Sequence, residues 1–254
     1  MLLSAILCLT AAAGWVMWFA RPNWFPQAAS AAGLAWDGDF ARTLLIASVI
    51  FTAAHLLLAA TLVRSKTPTS RSPEKTWPEY LVGAATAVLF LALAVSGARG
   101  VTGTYTAPPG AETIQVYAHQ FAWSFRYPGP DRRFGRTSLD LISDSGGNPL
   151  GLDPADARGR DDIVAATLRV PVGRPVRLLL HSRDVIHDFF VRELRTKRDV
   201  VPGIEIPLEL QVDVPGQYEI ACAELCGLGH SQMRSFLIAM PPAEFDRWKA
   251  AAGK

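Results

Sequence analysis

Between Cys222 and Met233 the chain reads CAELCGLGHSQM, which sets two thiols, an imidazole and a thioether close together. The protein has three cysteines in all, so placing two of them four residues apart suggests a metal. Thiolate, imidazole and thioether form a soft ligand set, which suits copper better than calcium or magnesium. A second imidazole would complete a two-metal site, and His187, in DVIHDFF on an earlier strand segment, is the candidate. Two other readings stand beside copper. Cys222 and Cys226 could pair as a disulfide in an oxidising compartment, although closing so short a loop would contribute little stability. Zinc could also bind, but its usual thiolate knuckle is Cys-x-x-Cys, and methionine is not a usual zinc ligand.

The elements that must position these residues divide into two kinds. Of 254 residues 50% are hydrophobic, and they are spread unevenly. The runs LLSAILCLTAAAGWVMWFA, TLLIASVIFTAAHLLLAATLV and YLVGAATAVLFLALAVSGA contain no charged residue. Each has about the 20 residues that a helix needs to cross a hydrocarbon core. None keeps the polar face of a helix packed in a soluble core. We expect membrane helices at about 2–20, 43–63 and 79–98, the last two forming a helical hairpin and the first an addition to it. The first run could instead be a signal peptide cut near Ala29-Ser30-Ala31. Its lack of a basic leader and the distance of that site from the apolar run favour a retained helix. Cys8 within it is then a small apolar filler.

Arg64, Lys66, Arg71 and Lys75 against the single acid Glu74 place the 64–78 loop in the cytoplasm. The third helix then delivers everything after residue 99 to the outer, periplasmic face of a bacterial-type cell membrane. A net charge of +2, with Lys and Arg scattered, gives no case for nucleic acid. Membrane lipid is the partner that the composition implies.

From residue 112 the pattern changes to short segments of strand character: ETIQVYAHQFAWSFRY, IVAATLRVPV, PVRLLLHS, IPLELQVDV, QYEIACA and RSFLIAM. Turn residues such as Pro171-Val-Gly173 and Pro215-Gly216 separate several of them. Many short strands without helices between them predict an antiparallel β-sandwich. Residues 128–162, rich in Gly, Pro and Asp, read as a long surface excursion between strands. Its acids lack the alternating spacing of a calcium loop. The expected organisation is a membrane region at 1–99, a linker at 100–111, a β domain at 112–241 and a short helix or tail at 242–254.

At this point the residues resemble a known family, subunit II of haem–copper oxidases, at its dinuclear copper (CuA) site. That pattern is a distant His followed by Cys-x-Glu-x-Cys-x-x-x-His-x-x-Met, and His187, Cys222, Glu224, Cys226, His230 and Met233 meet every position. The resemblance extends to Lys197-Arg-Asp199-Val-Val-Pro202-Gly203 and Gln120-Phe-Ala-Trp123, and spans about residues 74–241. It implies an all-β, cupredoxin-like Greek-key sandwich behind a membrane hairpin. Cys222 and Cys226 would bridge two copper ions, His187 and His230 would cap one each, and Met233 and the Glu224 carbonyl would be weak ligands. The Glu224 side chain would reach a magnesium ion at the interface with subunit I. The implied function is that of the respiratory subunit that takes single electrons from a donor and passes them to haem in subunit I for oxygen reduction, with no catalytic residue in this chain. The donor would be soluble or tethered, a cytochrome c or a small copper protein.

The chain departs from the family where the electron arrives. The usual Gln-Trp-x-Trp has Phe121 at its first aromatic position and keeps Trp123 at its second. Arg126, Arg132, Arg133 and Arg136 follow closely, and positive charge near Phe121 would repel a lysine-rich cytochrome. An acidic donor would then be preferred. A nitric oxide reductase with the same copper site is the alternative reading, and a copper-delivery protein a more distant one. Glu74 resembles the subunit II glutamate at the mouth of a proton path. His55, mid-helix, is expected to bond a neighbouring subunit's helix, and His119 and His181 to be ordinary domain histidines.

Overall fold

The computed structural model describes residues 2–64, 77–102 and 111–253. Glu74, most of the basic 64–78 loop and most of the expected linker lie outside the described residues. Among the described residues three helices are long and apolar enough to cross a membrane: α1 (Leu2–Ala20), α2 (Ala31–Arg64) and α3 (Trp77–Thr102). Leu57, Val82 and Phe90 stay exposed on them, an arrangement that suits lipid and not water.

Helix α2 begins at Ala31 rather than at residue 43. Composition alone stops at the polar AAGLAWDGDFAR stretch, but hydrogen bonds start the helix before it. The Ser30 hydroxyl accepts the Gly33 amide at 3.0 Å, and the Asp213 carboxylate accepts the Ala31 amide at 2.6 Å, satisfying donors that a helix N-terminus leaves free. Trp36 and Phe40 then stack at 5.6 Å on one side of its first turns. Within this helix His55 Nδ1 lies 2.8 Å from the Phe51 carbonyl.

The β domain has ten strands among the described residues: β1 (Glu112–His119), β2 (Ala122–Tyr127), β3 (Ile163–Ala165), β4 (Leu168–Pro171), β5 (Val176–Ser182), β6 (His187–Val191), β7 (Thr196–Val200), β8 (Ile206–Leu210), β9 (Gly216–Cys222) and β10 (Arg234–Met240). They form two five-stranded sheets in the orders β3-β2-β1-β5-β8 and β4-β10-β9-β6-β7. The sheets are mixed rather than antiparallel throughout: β1 runs parallel to β5, and β4 to β10. Parallel neighbours cannot be joined by a hairpin, and the 128–162 excursion with β3 and β4 supplies part of the chain needed between β1 and β5. The charged TKRDV segment shows no apolar alternation, yet it forms β7. It pairs along β6, and Lys197 Nζ sits 2.7 Å from the buried Asp188 carboxylate.

Alternation fills the core. Ile114, Val116 and Ala118 of β1 face inward with Leu178 and Leu180 of β5, and meet Phe189, Ile220 and Leu237 of the other sheet. Each fully buried Ile, Leu or Val contributes roughly 1.5–3 kcal/mol. Helix α4 (Pro242–Ala252) closes one end, with Phe245 buried and Trp248 edge-on to Tyr127 at 4.9 Å. The expected domain boundary omitted one segment. Residues 27–34, which precede most of α2, group with the β domain. Ala29 donates to the Glu193 carbonyl at 2.8 Å and accepts the Asp213 amide at 2.8 Å.

Strand directions gather the remaining loops at the opposite end. The β1–β2 turn at 120–121, the β5–β6 turn at 183–186 and the β9–β10 loop at 223–233 all emerge together, since β5 is parallel to β1 and β9 antiparallel to β6. The residues singled out in the sequence for metal chemistry come from these loops.

Candidate metal centre

Cys222 ends β9, Cys226 and His230 lie on the loop after it, Met233 stands just before β10, and His187 begins β6. The two thiols are free and buried, their sulfurs 3.8 Å apart. Two metal–sulfur bonds of about 2.3 Å each can span such a gap. His187 turns Nδ1 toward Cys222 at 3.9 Å, and His230 turns Nδ1 toward Cys226 at 3.6 Å. Met233 Sδ lies 3.8 Å from Cys226, and the Glu224 carbonyl 3.2 Å from Cys222. Each sulfur therefore has one imidazole and one weaker donor beside it. His187, Cys222 and Cys226 already meet the spacing of a metal-holding group.

His187 is fully buried and Met233 nearly so. Burial, with the neighbouring Cys222 thiol, pushes the Cys226 thiol above its ordinary range. A cation that binds as the protons leave offsets that cost, and the donor set is the soft one that copper favours. The residues thus fit a copper site.

Glycine sets how close the surface comes to this cluster. A Cβ on Gly229 would stand 2.5 Å from the Phe121 ring, and one on Gly227, whose φ is +132°, 2.7 Å from Gln120 Nε2. Only bare backbone lets Phe121 lie directly over the loop between Cys226 and His230. Phe121 is 38% exposed, whereas Trp123 is buried and meets His187 edge-on at 6.3 Å between ring centres.

The arginines expected near Phe121 lie elsewhere. Strand β2 carries the chain away from the turn, so that Arg132 lines a cavity of about 270 Å³ with Glu112, Phe245 and Lys249 at the α4 end of the domain. Arg126 is not a surface charge: it is fully buried, bonding Asp162 and the Gly135 carbonyl. Arg136 pairs with Asp153 and Asp156. On the loops at this end Val185, Ile186 and Leu228 are exposed apolar side chains, and Arg183 is held by Asp144 and the Pro149 carbonyl. Burial, aided by Arg183, holds His119 below the ordinary histidine range.

Two residues that bind this end together lay in quoted motifs but were given no role of their own in the sequence. Asp184 accepts hydrogen bonds from the ring of His187 and from the Gln120 amide, and Gln120 Nε2 donates to the Cys226 carbonyl at 2.5 Å. Burial alone would raise the Asp184 carboxyl, but the bonds from Gln120, His187 and Val185 outweigh it and hold the carboxyl below its usual range. An acid three residues before a candidate ligand histidine was the available signal.

Fold and site together define a class: a cupredoxin-like β domain behind apolar helices, with a thiol–imidazole cluster at its loop end. Residues 112–239 match the family model for the periplasmic domain of cytochrome c oxidase subunit II. The alternative cytochrome c oxidase subunit 2 of Bradyrhizobium diazoefficiens is 33% identical over 254 residues, covering 98% of this chain and 91% of that protein. The cytochrome c oxidase subunit 2 of Synechocystis sp. is 45% identical over 89 residues, which cover 35% of this chain and 27% of that longer protein. Among solved structures, the periplasmic domain of subunit II of the cytochrome oxidase of Bradyrhizobium japonicum aligns with 58% of this chain and 96% of its own, at 25% identity and a TM-score of 0.42. The chain belongs to the cytochrome c oxidase subunit II family, and is a subunit of a haem–copper oxidoreductase complex.

Proposed function

We propose that this chain takes single electrons from a soluble donor at a dinuclear copper centre and passes them to haem in the partner subunit that reduces oxygen. The observation that carries this reading is the pair of free sulfurs 3.8 Å apart, each with an imidazole nitrogen beside it. A copper pair bridged by two thiolates shares one electron over both ions, so little rearrangement accompanies each transfer. The chain supplies what such a pair needs. Cys222 and Cys226 offer the bridging sulfurs, His187 and His230 the strong terminal ligands, and Met233 and the Glu224 carbonyl the weak ones. With all these donors engaged no position is left for substrate, which agrees with a relay and not a catalytic metal. The exposed Glu224 carboxylate remains available for magnesium at the interface with the partner subunit.

Phe121 and Leu228 form the surface over the loop that holds Cys226 and His230, and we place the donor there. Because the nearby Arg183 is already paired with Asp144, a donor with an apolar contact face fits better than a strongly charged one. This replaces the acidic donor that the position of the arginines in the sequence suggested. No observation favours nitric oxide as the final acceptor. The outer face of the cell membrane is the side on which such a donor is met, and the family's periplasmic domain supports that placement. The test is electron paramagnetic resonance of the full chain purified with copper. A seven-line hyperfine pattern from one electron shared by two copper nuclei is the expected result. Four lines from one isolated copper, or stoichiometric zinc in protein purified from cells, would reject the proposal.

A further inference from the structure

Asp184 stands on the β5–β6 turn, outside the copper ligand set, and joins a candidate ligand to the turn that carries Phe121. Its Oδ1 accepts from His187 Nε2 at 2.8 Å and from the Val185 amide at 2.7 Å, while Oδ2 accepts the Gln120 amide at 2.7 Å. Gln120 then reaches the Cys226 carbonyl through its side chain. A continuous path of hydrogen bonds therefore leads from one ligand, His187, through the turn that carries Phe121, to a second ligand, Cys226.

The direction of the His187 ring gives this path its chemical meaning. Nδ1 faces Cys222, so Nε2 is the nitrogen turned away from the sulfurs. A carboxylate accepting from Nε2–H fixes that tautomer, leaves the Nδ1 lone pair directed at the sulfur side, and makes the imidazole a stronger donor. The other oxygen of the same carboxylate holds the backbone of the turn on which a donor would land.

We propose that Asp184 is a positioning residue for electron uptake, setting the tautomer and ring plane of His187 and pinning the Gln120–Phe121 turn with one carboxylate. The inference rests on the copper reading for its role in electron transfer, but its hydrogen bonds belong to the protein without metal. An asparagine at this position has one acceptor oxygen in place of two and so can keep only one of the two arms, to His187 or to Gln120. Alanine keeps neither.

The first measurement is nitrogen-15 NMR of the metal-free full chain in detergent. His187 in the unmodified protein should be held as the Nε2–H tautomer, with a ring proton that exchanges with solvent more slowly than that of the part-exposed His230. Asp184→Ala should yield mixed tautomers and fast exchange. In the copper-loaded chain, Asp184→Asn and Asp184→Ala should keep the mixed-valence signal, raise the reduction potential because a poorer imidazole donor stabilises the oxidised pair less, and slow electron uptake about 10-fold or more. Mixed tautomers or fast exchange at His187 in the unmodified metal-free chain would overturn the inference without any variant. So would variants with an unchanged potential and uptake rate, which would leave Asp184 as a turn residue only. Loss of the copper reading itself would show separately, as absence of the seven-line signal from the unmodified chain.

Discussion

The two ends of the β domain solve the problem of buried polar groups in opposite ways. At the α4 end, polar groups are matched within the protein: Arg126 is closed off against Asp162 and the Gly135 carbonyl, and Lys249 against Glu112. At the loop end, two thiols and two imidazoles turn donor atoms toward one another, while Asp184 holds the far side of the His187 ring. The first arrangement holds the long 128–162 excursion, whose composition offers few apolar anchors. The second gathers donors of the kind that a soft metal ion binds. A chain can therefore use burial of polar groups either to fix a loop or to define a binding site, and the difference lies in whether the partner is a residue or comes from outside.

The sharpest way to break this contrast is at the sulfurs. Cys222→Ser or Cys226→Ser should abolish the mixed-valence signal, since each thiolate would touch both ions, while the circular dichroism of the sheets should be retained. A variant that keeps the seven-line spectrum would show that only one sulfur matters.

At the other end the effect should fall on stability and not on copper. Arg126→Met strands the buried Asp162 carboxylate, and breaking a buried pair from one side costs about 3–5 kcal/mol. Thermal unfolding should move down accordingly, with the copper signal intact in the folded fraction. Removing both partners in Arg126→Met with Asp162→Leu should recover much of the loss. An unchanged unfolding midpoint in the single variant would show that water reaches the pair.

A smaller effect is expected at the surface that receives the donor. Leu228→Glu should slow uptake several-fold from a donor with an apolar face and make the rate depend on salt, because a charge is introduced where the nearby charges are paired. Arg132→Glu with Arg133→Glu should leave the rate unchanged. Stopped-flow kinetics at several ionic strengths make the comparison, and a strong response to the arginine pair would return them to the docking surface.

The smallest change is Met233→Leu. The buried thioether would be only a weak ligand, so the proposed copper pair should persist with a shifted potential, measurable by redox titration. Loss of the pair would make Met233 a structural ligand.

The six residues proposed to hold copper could be picked out in the sequence because metal chemistry restricts their types and, for the five between Cys222 and Met233, their spacing along one short stretch. The membrane helices were legible because lipid demands long apolar runs. Other features depend on partners far away along the chain. Arg126 reads as a surface charge until Asp162 is folded beside it. TKRDV reads as loop until β6 lies next to it. The parallel pairing of β1 with β5 leaves no local mark, and the early start of α2 depends on Asp213, which lies 182 residues from Ala31. Asp184 was present in the quoted motif, but its two-sided bonding could not be read until the β1–β2 turn was placed against it.

The contact between Ala29 and the strand ends at Glu193 and Asp213 also constrains how the chain can thread a bilayer. Two segments that touch in water must lie on the same side, so the number of crossings between them along the chain has to be even. Among the described residues between Ala29 and Asp213 the candidates are α2 and α3, and two satisfies the parity. If α1 crosses as well, it must start on the opposite side. This conclusion uses no count of lysines and arginines, and it would hold unchanged if every charge in the 64–78 loop were removed.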